Sequence, residues 1–253
     1  MDGFYIGANA GYAWGRSNAT TVADCPATAP PGWLCALNIP GSLANIPAVN
    51  AAGSGRLDPS GFTGGVQAGY NWQAGKTVFG VEADFNAFNL KSSRTTAFAL
   101  PFGGFPGGVV VGSSIATDWL FTARGRIGWA ASNALLIYAT GGLAMANLKV
   151  GNSYTDFAIG GGVVTGIEAA SANSLRTGWT IGGGLEWALN RNWSVKAEYL
   201  YVDLGSASVS GNITAPILVP TIANPIAVST DLTAHIARVG VNYRFGGPVV
   251  ARY

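Results

Sequence analysis

Charge is scarce in this sequence. Only 10% of the 253 residues are charged, whereas a soluble globular domain carries about a quarter. The net charge of +2 gives no support for a nucleic-acid partner, whose binding would need a clustered basic patch. The scarcity of charge therefore favours a membrane-embedded or unusually inert protein.

Long apolar runs are also absent. A transmembrane helix needs about 20 consecutive, mostly apolar residues, and glycine, proline or a charged residue interrupts every apolar run here. The N-terminal "MDGFYIG" has no basic region followed by an apolar core, so we expect no signal peptide. If the protein is exported, the sequence predicts the mature form, with Met1 added for expression.

Residues that carry catalysis or bind metals are few. A barrel hydrolase or acyltransferase needs an activated nucleophile, usually Ser paired with His, but the sole histidine, His235, has the position expected of an interfacial residue. A metal site would need a cluster of Cys, His and carboxylates, and the sequence shows none. We expect no enzymatic activity, no metal and no cofactor.

What the sequence does contain is apolar residues alternating with small or polar ones. The segments are "FYIGANAGYAW", "FTGGVQAGYNW", "TDWLFTARGRIGWA", "TGWTIGGGLEW" and "HIARVGVNYRF". Period two indicates β-strands with one apolar and one polar face. "VFGVEADFNAF", "LLIYATGGLAM" and "WSVKAEYLY" bring the count to eight strands, beginning near residues 4, 62, 77, 118, 135, 177, 193 and 235. Both faces of "LLIYATGGLAM" are apolar, so its facing is open.

Aromatic residues close both ends of several strands. Phe4–Trp14, Phe62–Trp72 and Trp119–Trp129 each span 11 residues, which matches the roughly 9–11 residues that a tilted strand needs to cross a bilayer. Barrels carry aromatic girdles at both interfaces. The predicted girdle residues are Phe4, Trp14, Phe62, Trp72, Phe79, Trp119, Trp129, Trp179, Trp187, Trp193, Tyr201 and Phe245.

The connections alternate between short and long. Short turns fall at 73–76, 130–133 and 188–192, and long segments cover about 16–60, 89–116, 149–175 and 204–232. Outer-membrane barrels place short turns in the periplasm and long loops outside. We predict an all-β fold: an eight-stranded antiparallel transmembrane β-barrel over 1–245 with four long extracellular loops, followed by a short periplasmic tail over 246–253.

Several stretches resemble a known family. "GFYIGANAGYAWG", "FGVEADF", "YATGGLA", "WSVKAEYLYVDLG" and "VGVNYRFGGPVVARY" look like the alphaproteobacterial outer-membrane immunogenic proteins, small porin-like barrels distantly similar to the barrel domain of outer-membrane protein A. The most specific parts are "KAEYLYVDLG" and "NYRF". The resemblance implies an eight-stranded barrel in the outer membrane, surface antigenicity and a role in envelope integrity, and it implies no catalytic reaction.

The few charges on the strands are predicted to face the lumen. A lysine or arginine facing lipid at mid-bilayer costs about 2–4 kcal/mol, and buried charges persist only when paired. Glu82 and Arg126 each lie three residues from the girdle residue of their own strand, Phe79 or Trp129, and Asp84 and Arg124 each lie five. The sequence therefore predicts that Glu82 lies level with Arg126 and Asp84 with Arg124. The predicted lumen ion network is Glu82, Asp84, Arg124, Arg126, Glu186, Lys196, Glu198 and Arg238.

This network leaves two functions open. An eight-stranded barrel is about wide enough for side chains to fill it, so matched charges predict a plugged, structural barrel that supports the envelope and presents loops. The alternative is a narrow porin-like channel, in which the same charges line a path for small solutes.

Three predictions concern the loops and their bases. Cys25 and Cys35 are expected to form a disulfide, since exported proteins meet oxidising conditions; two free thiols are the alternative. Basic residues just beyond the strand ends are either ordinary interfacial cations or contacts to lipopolysaccharide phosphates. They are Arg16, Arg56, Lys91, Arg94, Lys149 and Arg176.

The long loops contain uncharged apolar stretches at 98–112, 157–167 and 213–228. Large exposed apolar patches commonly mark contact surfaces. Either the loops pack on one another as β-hairpin extensions, or they dock onto other copies or another envelope component. The second reading makes the protein a surface assembly or adhesion protein, acting through Ile217, Val219 and Ile222.

Overall fold

A computed structural model of the chain describes residues 2–24, 45–99, 108–157, 164–215 and 219–245, with the backbone alone at 165, 215 and 219–223. Within these residues the chain forms eleven strands and one helix. In chain order they are β1 (Gly3–Ala23), α1 (Asn45–Gly53), β2 (Gly55–Leu57), β3 (Ser60–Ala74), β4 (Thr77–Phe88), β5 (Lys91–Ala99), β6 (Gly108–Ala116), β7 (Trp119–Ala130), β8 (Leu135–Phe157), β9 (Val164–Ala188), β10 (Trp193–Ala215) and β11 (Val219–Arg244).

Eight of these strands close into a ring. Every neighbouring pair in the order β1-β3-β4-β7-β8-β9-β10-β11 is antiparallel, and β11 pairs back with β1. Tyr5, for example, lies opposite Gly69 on one side and Arg244 on the other. Closure leaves no sheet edge in the ring and satisfies backbone groups internally. The predicted fold, a closed eight-stranded antiparallel barrel, is confirmed.

The barrel has two different ends. Three short connections, at 75–76, 131–134 and 189–192, join strands at the end that we name the turn end. The opposite end, named the mouth, receives the long connections. Six ring strands begin within two residues of the predicted positions, but β9 begins at Val164 rather than near 177, and β11 begins at Val219 rather than near 235.

The long segments predicted as loops contain much β structure. β1, β8, β9, β10 and β11 continue well past the membrane-spanning part, and this wall beyond the outer aromatic residues is named the extension. In β10, Ala207, Val209 and Ile213 face inward, while Ser206, Ser208 and the residues alternating with them face outward. The alternation thus continues without aromatic residues, which is why the sequence pattern ended the strands too early and offered β-hairpin extensions only as one of two readings of the apolar stretches.

The remaining elements complete the extension. β6 pairs with the outer part of β8, β5 pairs with β6, and β2 pairs with β1. Helix α1 packs between β1 and the β5–β6 pair, with Val49 fully buried. Pro47 lies in its first turn, where a missing N–H removes no helical hydrogen bond. Of the described residues, none forms a helix long and apolar enough to cross a bilayer.

The facing of β8, which the sequence left open, is determined by its burial. Ile137 and Leu143 lie on the outer surface, whereas Leu136, Tyr138 and Ala144 are buried inside. The interior of β8 is thus mostly apolar, as its sequence is.

The predicted girdle residues lie on the outer surface in two rings. Ten are exposed, and Trp119 and Tyr201 are half-buried. Neighbours in a ring contact one another, as Phe4 and Phe245 do with centroids 5.8 Å apart. The ring near the turn end contains Phe4, Trp72, Phe79, Trp129, Trp187, Trp193 and Phe245, and the ring near the mouth contains Trp14, Phe62, Trp119, Trp179 and Tyr201.

Candidate functional site in the barrel lumen

All eight charged residues of the predicted ion network lie inside the barrel and are buried. Their cross-strand positions differ from the heights inferred from the sequence. Glu82 lies opposite Arg124, not Arg126, and Asp84 lies opposite Thr122. The stagger of neighbouring strands in a closed barrel produces this displacement. We name this set of side chains the charged layer.

Arg124 occupies the centre of the charged layer. Its Nη2 lies 2.5 Å from Glu82 Oε1 and 2.7 Å from Asp84 Oδ2, and its Nη1 lies 3.1 Å from Glu198 Oε1. Its Nε donates to Thr122 Oγ1 at 3.0 Å. The guanidinium therefore bridges three carboxylates from two strands on different sides of the barrel.

Two further bases complete the balance of charge. Arg238 Nε donates to Glu198 Oε2 at 2.7 Å, and Arg238 Nη2 lies 3.1 Å from Asp84 Oδ2. Lys196 Nζ donates to both oxygens of Glu82, at 2.8 and 2.9 Å. Three carboxylates and three bases form one cluster, so each buried charge has a partner of opposite sign, as burial requires.

The fourth pair lies nearer the turn end and brings in two tyrosines. Arg126 Nη2 donates to Glu186 Oε2 at 2.7 Å, and its Nη1 donates to Tyr5 Oη at 3.0 Å. The Tyr5 hydroxyl in turn donates to Glu82 Oε2 at 2.7 Å. The Arg126 guanidinium carbon lies 4.0 Å from the ring centroid of Tyr138, a cation–π contact. These contacts join the pair to the main cluster.

The sequence reasoning missed both tyrosines. Tyr5 has the polar, lumen-facing parity of its strand, and that parity was the available signal. Tyr138 lies on the strand whose facing was open, and its hydroxyl donates to Glu198 Oε1 at 3.0 Å. Each tyrosine fills lumen volume with its ring and satisfies a carboxylate with its hydroxyl.

Amide side chains lie beside the charged layer and on its turn-end side, with Gln67 opposite Asp84 on the neighbouring strand. Asn9 Nδ2 donates to Gln67 Oε1 at 3.1 Å, and Gln67 Nε2 donates to Asn242 Oδ1. Asn242 and Ser194 both donate to Glu186 Oε1, at 3.3 and 2.7 Å. A continuous hydrogen-bond network thus connects the charged layer to the turn end.

The lumen on the mouth side of the charged layer is mostly apolar, although it also contains buried polar side chains such as Asn86, Ser17 and Thr230. Leu120, Leu200 and Ile236 each lie two residues along their strands from Thr122, Glu198 and Arg238, and all three are buried. The set continues toward the mouth, and we name it the apolar layer. Its largest members are Phe88, Leu90, Ile115, Leu120, Leu148, Leu200, Leu204, Leu232 and Ile236.

Helix α1 packs over the apolar layer at the mouth. Val49 lies in a second cluster of buried apolar residues with Tyr154 and Ile226. The backbone N–H of Ala23 donates to Asn50 Oδ1 at 2.7 Å, which fixes the helix to β1. From the turn end to the mouth, the described lumen is therefore occupied by amide and charged side chains, then by mostly apolar side chains, and then by the helix.

The predicted lipopolysaccharide contacts differ in their surroundings. Arg16 and Lys91 are exposed on the outer surface. Arg56 is exposed too, but its Nε lies 2.6 Å from Asp58 Oδ1. Of these three, Arg16 and Lys91 present their charge most freely to an external anion.

Arg94 and Lys149 are held by neighbouring groups. Arg94 Nη1 donates to the Ser54 carbonyl at 2.9 Å. Lys149 Nζ lies 2.5 Å from Asp118 Oδ2, and its hydrogen bond holds the pKa of the Asp118 carboxyl below its usual value. Both cations therefore also serve the structure of the extension.

Arg176 departs from its predicted place. Leu175 is exposed on the outer face of β9, and Arg176 lies on the opposite, inner face with its Nε buried. The alternation of a strand places consecutive side chains on opposite faces, and the sequence reading used the distance from the girdle without that parity. Arg176 is not an outer-surface cation.

His235 lies on the outer surface within the ring near the mouth. Its ring stacks on Trp14 with centroids 5.9 Å apart, and its Nδ1 lies 2.6 Å from the hydroxyl of Tyr199. Tyr201 packs against it edge-on, at 5.3 Å. These contacts are those of an interfacial aromatic cluster.

Some predicted residues lie outside the described part of the chain. These are Cys25, Cys35, Ile217 and the tail 246–253, so the disulfide remains a prediction. Val219 and Ile222 belong to β11 by their backbone.

Comparisons of the sequence with a family model and with similar sequences agree with this architecture. A family model described as the outer membrane protein beta-barrel domain matches residues 2–245. The 31 kDa outer-membrane immunogenic protein of Brucella melitensis biotype 1 is 32% identical over 244 residues, 96% of this chain and 83% of that protein. The 22 kDa outer membrane protein of Rhizobium leguminosarum bv. viciae is 30% identical over 148 residues, 58% of this chain and 54% of that protein. Among solved structures, outer membrane protein OprG from Pseudomonas aeruginosa superposes with a TM-score of 0.49 at 14% identity, covering 97% of each chain.

Proposed function

Because this chain belongs to the outer membrane protein beta-barrel domain family, and is an outer-membrane protein, we propose that it is a non-enzymatic structural barrel with a sealed lumen. In this role it supports the integrity of the envelope and presents its long connections at the cell surface. The turn end then faces the periplasm and the extension projects outward.

The charged layer is the observation that carries this proposal. Each of its four carboxylates contacts a base, and each of its four bases contacts a carboxylate. A conducting pore instead needs charged or polar groups whose coordination is free for the passing solute. The apolar layer adds a second barrier, because hydration of an ion is lost there without replacement.

Single-channel recording of the refolded full-length protein tests the seal. We expect no steady openings from the wild type, and none from Arg56→Ala, whose side chain lies on the outer surface. Steady openings of the wild type that change or disappear in Arg124→Ala would contradict the seal. They would support the alternative, a narrow porin-like channel in which the charged layer lines the solute path.

Lipopolysaccharide is the lipid partner that we propose for the outer surface. Arg16 and Lys91 present exposed cations beyond the ring near the mouth, and guanidinium groups bind phosphate well. The double variant Arg16→Ala, Lys91→Ala should retain less lipopolysaccharide on purification than the wild type. Arg176→Ala, whose side chain lies inside, is the matched control, and equal retention in all three proteins would contradict the proposal.

The surface role has two parts. The relatives named immunogenic outer-membrane proteins support the proposal that the connections of this chain act as antigens. Association with copies of the chain or an envelope partner is a further proposal, resting on the uncharged stretch 213–228. Replacing Ile217, Val219 and Ile222 with serine should abolish oligomers in native mass measurements; a wild type that is monomeric throughout would contradict association.

A further inference from the structure

The extension contains a buried carboxylate without a base. Glu168 on β9 is 6% exposed, and its Oε2 accepts a hydrogen bond from Asn152 Nδ2 at 3.0 Å. Its Oε1 has no hydrogen-bond partner, and no described base forms an ion pair with it. In the charged layer, by contrast, every carboxylate contacts a cation. Such a carboxylate is stabilised either by a proton or by a bound cation.

Two more buried oxygens on the same wall lack donors. They are Oδ1 of Asn152 and Oδ1 of Asn224, in side chains that are 6% and 3% exposed. Exchanging the O and N of the Asn152 amide does not solve the problem, because it would place two acceptors, Asn152 Oδ1 and Glu168 Oε2, against each other. The wall therefore has three buried acceptor oxygens and no donor for them within the described residues.

The strand register places these groups together. Tyr154 on β8 lies opposite Glu168, and Ile213 on β10 lies opposite Asn224 on β11. The pair of Thr214 with Ile167 sets Ile213 beside Glu168. Glu168 and Asn224 thus occupy one inward-facing row, separated by a single strand, and Asn152 lies two residues along β8 from Tyr154. A second buried carboxylate, Asp156, accepts a hydrogen bond from the Tyr154 hydroxyl at 3.0 Å.

The same place coincides with an interruption in the barrel wall. β9 and β10 pair as far as Trp179 and Asp203, and they pair again only at Ile167 and Thr214. Between these points β9 pairs with β8 alone and β10 with β11 alone. Gly211 on β10 leaves room for the carboxylate, since a Cβ there would lie 2.2 Å from Glu168 Oε1. The Glu168 side chain therefore reaches β10 across the interruption.

We propose that this wall binds a hard divalent cation at the carboxylate of Glu168, with the amide oxygens of Asn152 and Asn224 on either side reaching the ion directly or through bound water. Carboxylate and amide oxygens are the ligands that Ca²⁺ takes in proteins, with waters completing its shell. The cation would supply the positive charge that Glu168 lacks and would link β8, β9 and β11 where the β9–β10 hydrogen bonds are missing. This proposal does not depend on whether the lumen conducts.

The composition of the site predicts weak binding. One carboxylate with neutral amide and water ligands resembles the low-charge sites of extracellular modules, whose dissociation constants are about 10⁻⁴–10⁻³ M. Such a site would be occupied in millimolar calcium outside the cell and emptied by a chelator.

Terbium luminescence of the refolded full-length protein tests the proposal, because a nearby tyrosine sensitises the bound ion. After chelator treatment, Tb³⁺ should give a saturable signal that Ca²⁺ displaces. Glu168→Gln keeps the size of the side chain and should weaken Tb³⁺ binding at least tenfold, while Asn224→Ala should weaken it severalfold. Tyr154→Phe should lower the luminescence without changing the affinity.

The control variant is Asp231→Asn. The Asp231 carboxylate lies outside the site and accepts a hydrogen bond from the backbone N–H of Asn18, so its replacement should leave the titration unchanged. Heat-dependent gel mobility verifies that each variant is folded. A wild type with no saturable signal, or with equal affinity in Glu168→Gln, would overturn the proposal and assign the three oxygens to bound water. As a second readout, Ca²⁺ should slow proteolysis of the wild-type extension severalfold, and should not do so in Glu168→Gln.

Discussion

The charged layer and the apolar layer fill the same lumen with opposite chemistry. The change takes place within two residues on one strand, since Glu198 belongs to the first layer and Leu200 to the second. On β11 the same step separates Arg238 from Ile236. Both layers face the lumen from the same strands, so the position along the barrel axis, and not the strand, decides the chemistry of the interior.

Substitutions should destabilise the two layers for different physical reasons. The charged layer depends on complementarity, because removal of one partner leaves the other buried and unpaired. The apolar layer depends on volume, because a smaller side chain leaves a cavity that close-packed neighbours fill only partly. The comparison can therefore be tested by substitutions that change charge in one layer and volume in the other.

The largest effect is expected at the centre of the charged layer. Arg124→Met keeps much of the side-chain volume but leaves Glu82, Asp84 and Glu198 with one base fewer. Loss of one partner from a buried ion network costs about 3–5 kcal/mol. Denaturant unfolding in lipid vesicles measures this cost. The control Arg56→Met removes one partner of the exposed Arg56–Asp58 ion pair and should cost about 0–1 kcal/mol. An equal cost for both variants would refute the distinction between buried and exposed ion pairs.

The second-largest effect is expected from a loss of side-chain volume in the apolar layer. Leu200→Ala should reduce the free energy of unfolding by about 2–5 kcal/mol, since Leu200 is fully buried. Leu143→Ala removes the same atoms from a side chain that is 59% exposed on the lipid-facing surface, so it leaves no internal cavity. If the two leucines cost the same in one vesicle preparation, packing of the lumen does not stabilise the barrel.

A smaller and more local effect is expected at the mouth. Val49→Ala removes about two methylene equivalents from a fully buried side chain of α1, which corresponds to about 1.5 kcal/mol. This loss should loosen the helix rather than the ring, so limited proteolysis should cleave the α1 region faster while heat-dependent gel mobility stays unchanged. The exposed Ala51→Gly, also in α1, separates loss of packing from loss of helix propensity. Cleavage of Val49→Ala no faster than that of the wild type would show that packing does not retain the helix.

The smallest effect concerns pH at the rim. The hydrogen bond from Lys149 lowers the pKa of Asp118 below its ordinary value of 3.8, so the ionised carboxylate is favoured in the folded state. Its stabilising contribution is present above pH 3.8 and is lost as the pH falls through the lower folded-state pKa. Unfolding of the wild type and Asp118→Asn, compared from pH 6 to strong acid, should show a small difference that vanishes only in acid. A difference that grows on acidification would contradict the sign.

The charged layer was predictable from the sequence because charged side chains at mid-bilayer must face the lumen rather than lipid. Arg124 and Arg126 share a strand with aromatic residues of the opposite parity, and lipid excludes cations at mid-bilayer. The ring of eight strands was predictable for a related reason, since period two and the spacing of Trp119 and Trp129 match the thickness of a bilayer.

Other features lay beyond the pattern. The partner of Glu82 depends on strand stagger, which no single strand encodes. Tyr5 was missed because aromatic residues on such strands usually face lipid. β-hairpin extensions were one of the two readings of the apolar loop stretches, but the bounds of these strands were missed because serine and alanine alternate there without an aromatic marker, as in "GSASVSGN". Arg176 shows that distance along a strand does not locate a side chain unless its parity is used as well.

The length of β10 sets how far the extension projects beyond the outer ring of aromatic residues. β10 runs from Trp193 to Ala215, and its part beyond Tyr201 measures about 45 Å along the strand at roughly 3.3 Å per residue. In the proposed orientation, a wall of that reach holds the far ends of the hairpins away from the lipid headgroups. Residues at those ends are free of the demands of the bilayer, so the proposed antigenic surface could change by mutation while the membrane-spanning ring stays the same.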